Sequence, residues 1–203
     1  LLEEAKHIVS DVQSLQQSVN GRLRLAAPPA LGRLISEKII PEFLLLWPDL
    51  SISLKLSYDY EDLFKEGLDL AFRMGKNQDD ALIERQIGFA NRVVVAAPSY
   101  LKRHATIELP EDLAGHQCLQ VFERELADWS LCRAGEIRSI SLAARFQCGD
   151  MEALKKVLVS GLGLAQLPWL VVRDEIASGA LVHVLEGWSS TGMPISIVYR
   201  EGT

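Results

Sequence analysis

Residues 58–75, YDYEDLFKEGLDLAFRMG, decide how this chain reads. Asp59 stands where a helix N-cap belongs, with Glu61 and Asp62 in the first turn, where acidic side chains suit the positive end of the helix dipole. Gly67 stands where a left-handed C-terminal cap is needed. Leu68, Leu70 and Phe72 then alternate with Asp69, Ala71 and Arg73, the two-residue period of a strand. The stretch predicts a short helix feeding a buried strand.

Its surroundings repeat the pattern. Residues 23–27 form a short apolar run, and residues 31–47 are helical with an interruption at Pro41, which must kink or restart the helix. Ile52, Leu54 and Leu56 alternate with Ser53 and Lys55 as a second strand. Strand, helix, strand, helix, strand in that order is the pattern of a right-handed parallel α/β unit. Further on, residues 92–97 read as a strand, and Ser99 caps a short helix after Pro98. Residues 150–160 read as a helix with Met151, Leu154, Val157 and Leu158 on one face, ended by Gly161. A strand over 162–167, a helix over 170–178 stopped by Gly179, and strands over 181–185 and 195–199 complete the reading.

Bulk properties narrow the function. A chain of 203 residues can bury one large core or two small ones, and 48% hydrophobic with 24% charged residues is a soluble globular composition. The net charge is −6 and the 21 basic residues are scattered, so this segment lacks the cluster of cations that phosphate contacts require. No apolar run approaches the roughly 20 residues that span a membrane. Cys118, Cys132 and Cys148 are far apart and contain no C-x-x-C, which fits small buried thiols in a reducing compartment. No G-x-S-x-G, H-E-x-x-H or Walker sequence occurs, and His7, His104, His116 and His183 share no ligand spacing. Gly161-x-Gly163 precedes a strand instead of joining strand to helix, so it reads as helix termination and not as a dinucleotide loop. The expectation is no enzyme, no metal and no cofactor.

Residues 1–20 have helical periodicity. Leu1, Ala5, Ile8, Val12, Leu15 and Val19 are spaced alternately four and three apart, a heptad seam suited to pairing two helices. A surface helix packed on its own domain is the alternative. The Asn20-Gly21 pair sets the helix off from the next strand and favours an intermolecular role.

The binding chemistry is suggested by loops that leave strands. The loop from Pro28 to Gly32 enters a helix, whose first backbone N–H groups suit an anion, and it reads equally as an ordinary β–α turn. It offers Pro28, Pro29, Ala30 and Leu31 and no hydroxyl. Ser57 ends the second strand with a hydroxyl, and Tyr58 beside it can stack or donate.

Taken in order, these segments resemble the regulatory domain of LysR-type transcriptional regulators. The resemblance is carried by Asp69-Leu70-Ala71-x-Arg73-x-Gly75 with the Asp62-Leu63 and Glu66-Gly67 pairs before it. It is carried also by LRLAAPPALG at 23–32, Phe43 with Trp47-Pro48, VAAPSYL at 95–101 and LPEDLAGHQCL at 109–119. Trp129, LVSGLGLAQLP at 158–168 and ISIVYR at 195–200 extend it over almost the whole chain. The resemblance implies two Rossmann-like α/β lobes as in type II periplasmic binding proteins: a first lobe over 21–91 plus 199–203 and a second over 92–198. Residues 1–20 would be the linker helix that pairs subunits, with a winged helix-turn-helix ahead of Leu1 and a terminal helix after Thr203.

The implied function is sensing of a small effector between the lobes of a cytoplasmic homodimer or homotetramer, and the helix starts after Pro28 and at Asp150, with the Ser57 hydroxyl, point to an effector that bears a carboxylate. Promoter DNA would be bound by the preceding domain, and no membrane is involved. The resemblance places Pro28, Pro29, Ala30, Leu31, Ser57 and Tyr58 at the effector from the first lobe. From the second it places Gln120, Phe122, Gly149, Asp150, Pro168 and Trp169. Family members often carry Ser or Thr in the first loop, where this chain has none. A solute-binding protein of the same fold is the alternative, and the heptad helix argues against it.

Two outcomes follow. This segment alone does not retain duplex DNA in a sequence-specific, salt-sensitive way; such retention would contradict placing DNA binding outside it. Replacing Ile8 and Leu15 by Asp puts unpaired charge into the apolar seam, at a cost of several kcal/mol. Light scattering is expected to show the double variant dissociating at concentrations where the parent chain is associated.

Overall fold

The structure, a computed structural model, describes residues 20–59, 62–75, 79, 81–121 and 127–200. The six seam residues from Leu1 to Val19, and Phe122, lie outside these. The chain divides into two compact units, one comprising Leu1–Phe89 with Met193–Thr203, the other Ala90–Gly192.

The first unit is built on a five-stranded sheet. Its strands are β1 (Gly21–Ala27), β2 (Leu50–Leu56), β3 (Leu70–Met74), β4 (Ile83–Ala90) and β12 (Met193–Tyr199), in the order β2-β1-β3-β12-β4. β1 runs parallel to β2 in unbroken register from Gly21↔Leu50 to Ala27↔Leu56, and parallel to β3 through Leu25↔Leu70 and Ala26↔Ala71. Two helices, α1 (Pro29–Lys38) and α2 (Ile40–Leu46), make the crossover between β1 and β2. The helical run breaks at Ile39, two residues before Pro41, which stands in the first turn of α2. A proline there has no N–H to give to the preceding turn, so the first helix cannot continue through it.

Three details of this unit differ from the sequence reading. The expected helix after Tyr58 is a run of turns over residues 63–67, and its cap is Asp62, not Asp59. Asp62 Oδ1 accepts the N–H groups of Phe64 at 2.9 Å and Lys65 at 3.2 Å. So short a run has too few internal hydrogen bonds to hold a regular helix, and Leu63, 1% exposed, anchors it instead. Gly67, with φ +61°, does adopt the left-handed conformation that ends it. Next, β4 was not foreseen, because of its first five residues only Ile87 is buried. Finally, the chain returns to this unit at Met193, not at residue 199. All of β12 lies in this sheet, antiparallel to β3 from Ile195↔Met74 to Tyr199↔Leu70.

The second unit has a five-stranded sheet in the order β11-β5-β10-β6-β9. Its members are β5 (Arg92–Ala96), β6 (Cys118–Val121), β9 (Ala144–Cys148), β10 (Leu164–Pro168) and β11 (Val182–Val184). β6 is parallel to β9 and β10, while β5 is antiparallel to β10 and β11. Helices α3 (Pro98–Leu101), α4 (Met151–Val159) and α5 (Trp169–Ala177) and a 3-10 turn (Pro110–Gly115) pack about it. A separate hairpin joins β7 (Ala127–Arg133) to β8 (Glu136–Leu142) through Ala134 and Gly135, both at positive φ. The hairpin closes one face of the core by bringing Trp129, Leu131, Ile140 and Leu142 against Val94, Tyr100 and Leu164. The sequence reading assigned no strands to this region. Buried residues alternate there mainly with serines, and pairing across a turn is not visible one strand at a time.

Two contacts lock the second unit. Lys155 on α4 reaches Glu175 on α5 at 2.8 Å and Glu152 at 3.0 Å. Burial disfavours the ammonium, but the two carboxylates prevail and hold Lys155 above its ordinary pKa. At the start of β10, the Leu164 N–H donates to the Gln117 carbonyl at 2.8 Å. A Cβ on Gly163 would lie 2.5 Å from that same carbonyl oxygen and 3.1 Å from Leu119 Cγ.

Gly163→Ala therefore forces backbone apart and is expected to cost about 1–3 kcal/mol, read as a lower denaturant midpoint at unchanged slope. Gly115→Ala, whose Cβ would meet nothing within 4 Å, is expected to change stability by about 0.5 kcal/mol or less. Equal stability of the two variants would contradict the close approach at Gly163.

Candidate functional site

In an open α/β sheet the parallel strands end at one edge, where the chain turns into loops and helix starts that can hold a ligand. Each unit has such an edge.

In the first unit the edge joins the ends of β1, β2 and β3. Ser57 donates its N–H to the Ala27 carbonyl at 3.1 Å, so the loop after β1 and the residue after β2 are side by side. The Ser57 hydroxyl accepts the Asp59 N–H at 3.0 Å and keeps its own proton to give. Pro28 caps α1 and Pro29 is its first residue, and neither carries an N–H. Gly32 closes the first helical bond onto the Pro28 carbonyl at 2.8 Å, and the N–H groups of Ala30 and Leu31 are the donors of this helix start without a partner among the described residues. Pro28, Pro29, Ala30 and Tyr58 are partly exposed. The Leu31 side chain is 5% exposed and sits in the core, so only its backbone faces the edge.

The sequence reading passed over two polar residues here. Arg73, 9% exposed, and Ser196, fully buried, are paired neighbours on β3 and β12. Since Ala71 lies beside Ala26, Arg73 comes level with Pro28. The signal was present in the sequence: an arginine and a serine inside otherwise apolar strands.

In the second unit the edge joins the ends of β6, β9 and β10. Gln120, 7% exposed, lies in β6 directly beside Gln147 of β9. Leu164 lies beside Cys118, so two residues further along each strand Gln166 of β10 comes level with Gln120. Three carboxamides therefore form a row across three neighbouring parallel strands. Of the three, the sequence reading named Gln120 alone. The Gln166 Nε2 is buried with no acceptor among the described residues. A row of this kind depends on cross-strand register, which spacing along the chain does not reveal.

Gly149 and Asp150 follow β9. The Asp150 carboxylate turns back onto its own helix, accepting the Ala153 N–H at 2.8 Å as the N-cap of α4. Of the donors expected at that helix start, this leaves the N–H groups of Met151 and Glu152. Pro168 ends β10 and caps α5. The Trp169 N–H is taken by the Asn91 carbonyl at 2.9 Å. Its ring is 44% exposed and meets the His183 ring edge-on at 6.4 Å.

Burial pushes the Cys118 thiol up to about 12, so it stays protonated and unreactive at neutral pH. The Cys148 thiol donates to the Asp150 carbonyl at 3.2 Å. Among the described residues, no group of three or more His, Cys, Asp or Glu side chains is placed to hold a metal ion. No helix among them is long and apolar enough to cross a membrane.

Comparison with known proteins agrees with the architecture. The LysR substrate binding domain matches residues 16–203. The HTH-type transcriptional activator AaeR of Escherichia coli strain K12 is 28% identical over 202 residues, covering 99% of this chain and 65% of AaeR. The HTH-type transcriptional regulator PtxR of Pseudomonas aeruginosa is 29% identical over 191 residues, covering 93% of this chain and 61% of PtxR. The chain thus spans less than two thirds of the length of these two relatives. The regulatory domain of CrgA, a LysR-type transcriptional regulator from Neisseria meningitidis, superposes with a TM-score of 0.80 at 29% identity, covering 90% of each chain. Full-length AphB, a virulence activator of Vibrio cholerae, superposes with a TM-score of 0.81 at 29% identity, covering 98% of this chain and 68% of AphB. The two-lobed α/β fold of the type II periplasmic binding protein kind, expected from the sequence, is the fold of such regulatory domains. The chain belongs to the LysR substrate binding domain family, the regulatory domains of LysR-type transcriptional regulators.

Proposed function

We propose that this chain is the effector-sensing and oligomerising part of a cytoplasmic LysR-type regulator, and that its effector is a small organic carboxylate engaging both units. The observation that supports this most is the common edge at which parallel strands end in each unit, with Ser57 beside the Pro28 loop in one and Gln120 beside Gln147 in the other. In this reading Ser57 and the N–H groups of Ala30 and Leu31 donate to the ligand from the first unit. The buried Arg73 at the same level supplies positive charge, which favours an anion at that edge. Gln120 and the N–H groups that open α4 act from the second unit. Pro28, Pro29, Tyr58, Phe122, Pro168 and Trp169 provide apolar surface for the body of the ligand, and Gly149 leaves room beside it.

Residues 1–20 pair copies of the chain into a dimer or tetramer and join it to a DNA-binding domain that contacts the promoter. Signalling then requires that the effector bind one arrangement of the assembly more tightly than another.

The test is a thermal-shift panel of small aliphatic and aromatic carboxylates, each beside its primary amide. A true effector at about 100 times its Kd adds roughly 2.7 kcal/mol of stability, and the matching amide adds less. A panel in which amides match or exceed their acids contradicts the carboxylate assignment. Ser57→Ala is expected to weaken the effector by about 0.5–1.5 kcal/mol, or up to about 3 kcal/mol if the group it serves is charged. Unchanged affinity in calorimetry removes Ser57 from the site.

A further inference from the structure

Tyr100 is 1% exposed, so its hydroxyl lies in the core of the second unit and needs partners there. The oxygen accepts the Gln117 N–H at 2.9 Å. Its proton is directed to Nδ1 of His116, 3.2 Å away. A buried hydroxyl proton needs an acceptor, and Nδ1 of His116 is the one this contact supplies, which assigns a neutral His116 with its proton on Nε2. On the other side, His104 stacks on the Tyr100 ring with centroids 3.9 Å apart and planes 18° from parallel. His104 Nδ1 lies 2.8 Å from the Tyr100 carbonyl, which can only accept, so that nitrogen carries the proton. The two imidazoles are 6.0 Å apart.

This cluster sits on a structural joint. Gln117 immediately precedes β6, and its carbonyl takes the Leu164 N–H that starts β10. The Tyr100 hydroxyl thus holds the residue on which the parallel pairing of β6 and β10 begins.

We propose that Tyr100, His104 and His116 form a proton-sensitive latch at the start of β6. Protonation of His116 converts Nδ1 from acceptor to donor and leaves the Tyr100 hydroxyl proton without an acceptor in the core. Acid therefore loosens Gln117 and the β6–β10 joint, while neutral pH closes it.

From the 3-10 turn, Asp112 attracts a proton to His116, but its Oδ2 already accepts the N–H groups of Glu108 and Leu109 at 2.9 Å. Glu111 on the same turn pairs with Arg138 of β8, which also pairs with Glu136. Arg103, following α3, gives its guanidinium to the Gly161 carbonyl at 2.8 Å. Cys118 at the head of β6 is uncharged at neutral pH. Burial first, and then the positive charge of His104, hold His116 below its ordinary pKa against the pull of Asp112. The folded chain therefore binds this proton less readily than the unfolded chain. The stability is complete above the unfolded value of about 6.5 and is lost as pH falls through it towards the folded value.

The experiment follows unfolding of this chain between about pH 5 and 8, with amide exchange at Gln117. In the parent chain the unfolding equilibrium constant rises by up to about tenfold per pH unit below about 6.5, beyond the drift from other groups. Gln117 exchange accelerates with it. In His116→Gln the carboxamide oxygen keeps accepting the tyrosine proton and does not titrate. That variant retains neutral-pH stability and loses both the added acid sensitivity and the change at Gln117. If His116→Gln fails to fold, the His116 ring resonances of the parent chain decide the matter. A titration below the ordinary value that tracks Gln117 exchange supports the latch. A titration at or above it, or equal acid sensitivity in the parent and the variant, overturns it.

Discussion

The parallel hydrogen-bond ladders fix everything else in this chain. A parallel pair cannot be closed by a tight turn, so each crossover must leave the sheet and return over it, and strand ends gather at one edge. In the first unit the ladder from Gly21↔Leu50 to Ala27↔Leu56 brings residue 57 to the Pro28 loop. In the second, the pairings of β6 with β9 and β10 bring Gln120, Gly149 and Pro168 to one edge. A slip of one residue in any of these ladders would send the core side chains to the wrong face and scatter the edge groups. The site is therefore a consequence of register, and register is held by the apolar residues that each strand buries.

What could be read in the sequence is what depends on local chemistry. Gly67 was legible because a left-handed residue ends a turn, and Pro28-Pro29 because proline suits the start of a helix. The crossover helices and most strands announced themselves through their apolar period. The element after Tyr58 was half legible: its end at Gly67 was right, but its cap moved from Asp59 to Asp62 beside the buried anchor Leu63. The β7–β8 hairpin, β4 and the full extent of β12 escaped, because their stability comes from pairing with distant strands. Arg73 beside Ser196, and Gln147 and Gln166 level with Gln120, escaped for the same reason.

The polar groups at the two edges differ in character. The first unit offers a serine hydroxyl, two helix-start donors and a buried arginine at the same level. The second offers neutral carboxamides, one of which presents a buried donor without an acceptor among the described residues. Asp150 turns one carboxylate oxygen onto the start of α4, where it accepts the Ala153 N–H. Histidines take no part in either row of edge groups apart from the packing of His183 against Trp169. The described edges hold the means to grip and orient a molecule.

The central proposal is that an effector is held by the groups at the strand-end edges. Backbone amide shifts, recorded as the strongest stabilising carboxylate from the thermal panel is titrated into the chain, test it most directly. The account predicts that the largest changes fall together at Ala30, Leu31 and Ser57 in the first unit and at Gln120, Gly149 and Met151 in the second, with a single affinity for both sets. Changes confined to one unit, or centred away from the ends of the parallel strands, would contradict it.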